Sequence, residues 1–116
     1  MNTVPLKTII EKLKLEAITP LPEANRIVKG GYASDLLSCA MKGAKPDYLW
    51  VTLQSHVNVV AVASLANLAG VIMTEGCRPA QETIEQAEKE KVVLLLTPLD
   101  TFSVVGQLTI LGIRGE

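Results

Sequence analysis

LWVTLQSHVNVVAVASLANLAGVIMTEG, residues 49–76, holds the only tryptophan and the only histidine of the chain, and no side chain from Val57 to Met73 is charged. A membrane-spanning helix needs about 20 consecutive apolar residues. Here Asn58, Ser64 and Asn67 interrupt the run and Gly70 stands near its end, so no membrane span is expected. The stretch divides instead into three parts. YLWVTL (48–53) is a continuous apolar, β-branched run of strand length, the pattern of a strand buried on both faces. Ser55 is a candidate cap for a helix whose body runs from Val57 to Ala69 and stops at Gly70. VIMT (71–74) is again a short buried-strand pattern. Strand, helix and strand in that order make a parallel crossover unit. The helix is apolar nearly all round, with small residues at Ala61, Ala63, Ser64 and Ala66. Burial on more than one side is therefore expected, with a second subunit, or the strand layers alone, as the second cover.

The same alternation extends outward. Leu6, Ile9, Ile10 and Leu13 have the spacing of one helix face, which predicts an amphipathic helix over about 4–14 with Pro5 in its first turn. EAIT and RIV, around the loop LPEAN, read as two short strands or extended segments. SDLLSCAMKG reads as a helix capped by Ser34 or Asp35, ended by Gly43, with Leu37, Ala40 and Met41 inward. Pro79 opens a helix, AQETIEQAEKEK, with a narrow stripe of Ala80, Ile84 and Ala87. VVLLLT (92–97) is a further buried strand. A last helix over about 101–111 takes Asp100 or Thr101 as its cap and turns Phe102, Val105 and Leu108 inward. Buried strands alternating with helices predict an α/β fold, a three-layer α/β/α sandwich on a mainly parallel sheet.

Composition narrows the function. With 116 residues, 48% hydrophobic and 20% charged, the chain fits one globular domain, 1–116, with a core of Val, Leu, Ile and Ala because only 3% is aromatic. A net charge of −1 supplies no global field for nucleic acid or an anionic membrane, and neither partner is expected. Cys39 and Cys77 form no C-x-x-C arrangement, and MNTVPLKTIIEK lacks the apolar region of a signal peptide. A cytoplasmic protein with reduced thiols is expected.

In open parallel sheets ligands bind at the carboxyl ends of the strands. Those ends are KGGYASD, QSHVN, TEGCRP and TPLDT, each before a helix N-terminus that offers free N–H groups to an anion. The candidate ligand contacts are Gly30, Gly31, Ser34, Asp35, Gln54, His56, Asn58, Thr74, Gly76, Arg78 and Thr101. Gly30-Gly31 belongs to neither phosphate-loop consensus, and a turn needing positive φ is the simpler reason for it. Asp35 and Asp100 read first as helix caps. Arg78, beside Thr74-Glu75-Gly76, is the better anion contact because its guanidinium makes forked bonds to phosphate; the structural alternative is a pair with Glu75 or Glu82. One histidine, with no nucleophile or metal-ligand set around it, argues against an enzyme and against a bound metal.

The order GGYASDLLSCAMKGAKPDYLWVTLQSHVNVVAVASLANLAGVIMTEG followed by LLLTPLDTF resembles the DRTGG domain over residues 26–110, with 1–25 as an N-terminal helix and lead-in. That domain also occurs between the paired CBS modules of regulated inorganic pyrophosphatases and in some phosphotransacetylases, and it is related to the N-terminal domain of HPr kinase/phosphorylase. The resemblance implies an α/β fold, a tendency to form homodimers and a regulatory role without catalysis. Of the name-giving motif, Thr74 and Gly76 carry over. Gln54-Ser55-His56-Val57-Asn58 stands where Asp-Arg falls, and the loops ending in Asp35 and Thr101-Phe102 match well. The expected function is a non-catalytic regulatory domain with no resident cofactor, sensing an adenine nucleotide or other phosphate-containing ligand at the strand ends and acting on an enzyme partner. The alternative is a pure interaction subunit of a metabolic, phosphotransfer or redox enzyme.

Overall fold

The computed structural model describes residues 3–115. In chain order the elements are β1 (Val4–Pro5), α1 (Leu6–Leu13), β2 (Glu16–Ala17), β3 (Ile27–Val28), β4 (Gly30–Ala33), α2 (Leu37–Gly43), β5 (Tyr48–Thr52), α3 (Asn58–Leu65), β6 (Gly70–Met73), α4 (Gln81–Glu90), β7 (Leu94–Leu96) and α5 (Thr101–Ile110). The main sheet has the order β2-β7-β6-β5-β4. Strands β4 to β7 are mutually parallel and β2 runs antiparallel on the edge, while β1 and β3 form a separate antiparallel pair.

Because β4, β5, β6 and β7 step across the sheet in one direction, right-handed crossovers place α2, α3 and α4 on one face. There Ala40, Val59, Val60, Ala63 and Ala87 pack with Trp50, Val71, Met73 and Leu94. On the other face α1 and α5 contribute Leu6, Ile9, Leu13, Val104 and Leu108 against Leu49, Val51, Ile72 and Leu95. Alternate residues of β5 thus point into two cores, which is why the strand is apolar from Tyr48 to Val51 and buried at all five positions. The three layers are those expected from the sequence. Among the described residues no helix is long and apolar enough to cross a membrane.

Several local expectations are corrected. Pro5 lies before α1 and pairs with Ile27 in a strand. Asn67 takes the left-handed conformation (φ +54°), which an Asn tolerates, so the chain leaves α3 early and Gly70 begins β6 instead of ending the helix. In that helix Val59, Val60, Val62 and Ala63 are buried, whereas Ala61, Ser64 and Leu65 face outward from this chain. In α2 the buried row continues from Ala40 to Ala44, and Met41, one residue on and about 100° further round, is exposed. In α4 the buried residues are Thr83 and Ala87, while Ile84 is half-buried and Ala80 exposed. In α5 the inward row is Val104 and Leu108; Phe102 is 88% exposed and Val105 37%, contrary to the inward reading.

Candidate functional site

The carboxyl edge of the sheet carries a row of threonines. Thr52 ends β5, and Thr74 and Thr97 directly follow β6 and β7; each is at most 2% exposed. Their hydroxyls tie the edge together. The Thr52 hydroxyl donates to an Asp35 carboxylate oxygen at 2.8 Å and accepts the Gln54 N–H at 3.0 Å. The Thr74 and Thr101 hydroxyls bond each other at 2.8 Å, and Thr97 accepts the Leu99 N–H at 3.2 Å. A buried hydroxyl without a partner is costly, so a strand ending in threonine needs such loops around it.

The structure gathers the sequence candidates, Gly30 and Gly31 excepted, into two groups. At β4 and β5, the Asp35 carboxylate also accepts the Leu53 N–H (2.9 Å), Gln54 donates to the Asp35 carbonyl (3.1 Å), and the indole of Trp50 donates to the Ser34 carbonyl (2.8 Å). Asp35 is therefore not a helix cap: the residue before α2 is Leu36, and Asp35 reaches across to the neighbouring strand. The Ser34 hydroxyl accepts the Leu36 N–H at 3.1 Å. The residue before α3 is Val57, not Ser55, and exposed His56 just ahead of it accepts the Asn58 N–H on Nδ1 at 3.1 Å. Gly30 and Gly31 open β4 at the amino end of the parallel strands, away from the carboxyl edge where they were expected, with ordinary backbone angles and not in a turn. A Cβ on Gly30 would stand 2.6 Å from the Tyr48 ring and one on Gly31 3.3 Å from Ile113, so packing explains both glycines.

The second group lies between β6 and β7. From β6 the chain turns to α4 on one face, and from β7 to α5 on the other, which makes this the point where connections diverge. Glu75 (φ +60°) and Gly76 (φ +71°) both take left-handed backbone, turning their N–H groups onto the carbonyls of Leu99 (2.8 Å) and Thr97 (3.0 Å). Beside this turn is a cleft of about 290 Å³ lined by Lys14, Glu16, Gly76, Arg78, Leu96, Thr97 and Pro98. Arg78 pairs with Glu16 of β2, not with Glu75 or Glu82, through a fork of 3.1 and 3.2 Å. The hydrogen bond from Arg78, and then its charge, hold the Glu16 carboxyl below the ordinary glutamate range, while Glu16 raises the guanidinium. Lys14, Glu16 and Thr97 were not among the sequence candidates. Threonine at the end of three successive apolar runs was the visible signal for the last; the other two arrive through long-range pairing.

At the start of α5, Asp100 caps the helix by accepting the Ser103 N–H at 2.7 Å. Hydrogen bonds from the Ser103 side chain and then its backbone lower the Asp100 pKa. A carboxyl lowered on folding adds stability that is fully present above its unfolded pKa and is lost as the pH falls through the folded value. Asp100→Asn keeps a capping oxygen. It is therefore expected to melt near the parent at neutral pH and to lose less stability between about pH 5 and pH 2, measured as melting temperature against pH. Identical acid limbs for the two proteins would refute this role.

An edge of satisfied hydroxyls beside a cleft with two cations defines a small α/β domain suited to binding. Comparison with known proteins places it further: the DRTGG domain model matches residues 25–110, and the chain belongs to that family. Among solved structures, the CBS and DRTGG domains of the regulatory region of Clostridium perfringens pyrophosphatase, complexed with the activator diadenosine tetraphosphate, superimpose with a TM-score of 0.75 at 19% identity. The match covers 96% of this chain and 48% of that one, so this chain spans about half the neighbour's length. No curated protein matches the chain.

Proposed function

We propose that this DRTGG domain is a non-catalytic regulatory module of the cytoplasm, acting as a homodimer on an enzyme partner and sensing an adenine nucleotide or other phosphate-bearing ligand. The observation that carries the reading is the cleft where the β6 and β7 connections diverge, with Arg78 and Lys14 on its wall. Arg78 offers a guanidinium fork that suits phosphate oxygens, and Glu16 occupies that fork while no anion competes for it. The neighbouring pyrophosphatase region, regulatory and taken with a dinucleotide activator, supports the same class of ligand. Ser34, Asp35, Gln54, His56 and Asn58 form the other half of the edge, and in this reading they shape the loops more than they touch the ligand.

The test is a melting experiment with ATP and with inorganic phosphate at millimolar concentration. A ligand at a hundred times its Kd stabilises by about 2.7 kcal/mol, a shift of about 10 °C in a domain this size. Arg78→Ala is expected to abolish the shift, and Glu16→Gln, which frees the guanidinium, to enlarge it. No shift with either compound at about 10 mM sinks the ligand reading.

A further inference from the structure

The loop from Thr19 to Arg26 is fastened at both ends. At one end the buried Thr19 hydroxyl donates to the Val92 carbonyl at 2.9 Å and accepts the Leu94 N–H at 3.0 Å. At the other, the Arg26 guanidinium donates to Asp47 Oδ1 at 3.0 Å and to the Asn67 carbonyl at 2.6 Å, while the Arg26 carbonyl accepts the Leu6 N–H at 2.7 Å. Pro20 and Pro22 fix two φ angles between these ends. Between Pro20, Leu21 and Pro22 on one side and Ala87, Val92 and Val93 on the other lies a cleft of about 540 Å³. Small-molecule sites run from about 300 to 1,000 Å³ and are mostly apolar with a few placed polar groups. The floor residues Ala87, Val92 and Val93 are buried. Walls held in place before a ligand arrives lose little freedom when it binds.

Four charged residues also line the cleft: Glu23, Arg26, Glu88 and Lys91. The Arg26 guanidinium is engaged by Asp47 and Asn67. Among the described residues Glu23, Glu88 and Lys91 take part in no ion pair. Two carboxylates against one ammonium leave the rim negative. Helix α4 ends here as well, and the carbonyl end of a helix carries partial negative charge.

We infer that this cleft binds a small amphipathic amine, its alkyl body on Ala87, Val92 and Val93 and its ammonium group toward Glu23 and Glu88. A molecule of the same length with a carboxylate head meets repulsion from both glutamates and attraction from Lys91 alone. The site is separate from the anion cleft. Val92 and Val93 stand just before β7 and Thr97 just after it, so the two ligands approach opposite ends of one strand. Neither reading depends on the other.

The measurement is a titration of the full chain, followed by amide NMR spectra, with hexylammonium, hexanol and hexanoate, which carry different heads on one alkyl body. Hexylammonium is expected to move the Ala87, Val92 and Val93 amides to saturation, with a dissociation constant at least about tenfold below those of the other two. Glu23→Gln/Glu88→Gln replaces two exposed side chains and is expected to keep the fold while weakening hexylammonium to the level of hexanol. Amides that stay unmoved with hexylammonium at about 10 mM overturn the site. Equal affinity for the three heads, or an unchanged hexylammonium constant in the double variant, overturns an amine as its ligand.

Discussion

Replacing Trp50 by alanine is expected to lower the unfolding free energy by about 3–5 kcal/mol, the usual cost of deleting a large buried ring and leaving a cavity. Trp50 is the largest of the fully buried side chains and stands in the middle of β5, flanked by Tyr32 of β4 and Val71 of β6. Its indole N–H also donates to the Ser34 carbonyl, so the alanine variant loses apolar contact and strips a carbonyl of its donor. Against a total stability of about 5–15 kcal/mol, that loss brings the domain close to unfolding. Trp50→Phe keeps most of the bulk and loses the bond, and it should fall between the two. Urea denaturation followed by circular dichroism checks this, since the variants lack the only tryptophan. A loss under about 1 kcal/mol for Trp50→Ala would show that the core closes over the gap.

The parallel sheet was readable because burial on both faces leaves a plain mark. YLWV, GVIM and LLL carry no charged or strongly polar residue, and no amphipathic helix has that composition. The orientation of α5 was not readable, for a matching reason. A helix with no charged residue has no charged face to fix its rotation, and the rows Phe102-Val105-Leu108 and Val104-Leu108 both satisfy the helical period. Only contact with Leu49, Val51 and Leu95 decides between them. The binding candidates divide in the same way. Loops that follow buried strands in sequence, such as those holding Asp35 and Thr74, were found by position. Glu16 was invisible as a partner of Arg78, because an antiparallel edge strand of two residues leaves no periodic signal, and the two residues stand 62 positions apart in the chain. Gly30 and Gly31 looked like a turn because glycine needed for close packing and glycine needed for positive φ are the same letter.

Asp35 is where fold and candidate site depend on each other most directly, and its substitution separates shape from charge. Its carboxylate takes the hydroxyl of Thr52, a residue with no exposed surface, and the N–H of Leu53. Asp35→Ala leaves the Thr52 hydroxyl without its acceptor at the end of the central strand, and the expected cost is about 1–3 kcal/mol. Water can reach the Leu53 N–H, so that bond adds little. Asp35→Asn retains a carbonyl oxygen able to accept both bonds and should recover most of the loss, because neither bond requires a charge. The Gln54 side chain, which donates to the Asp35 backbone carbonyl, is expected to keep its place in Asp35→Asn and to lose it in Asp35→Ala as the loop relaxes. Urea midpoints give the first comparison and hydrogen exchange at the Leu53 and Gln54 amides the second. Equal destabilisation by both variants would mean that the negative charge, and not the acceptor geometry, holds the β4 and β5 loops together.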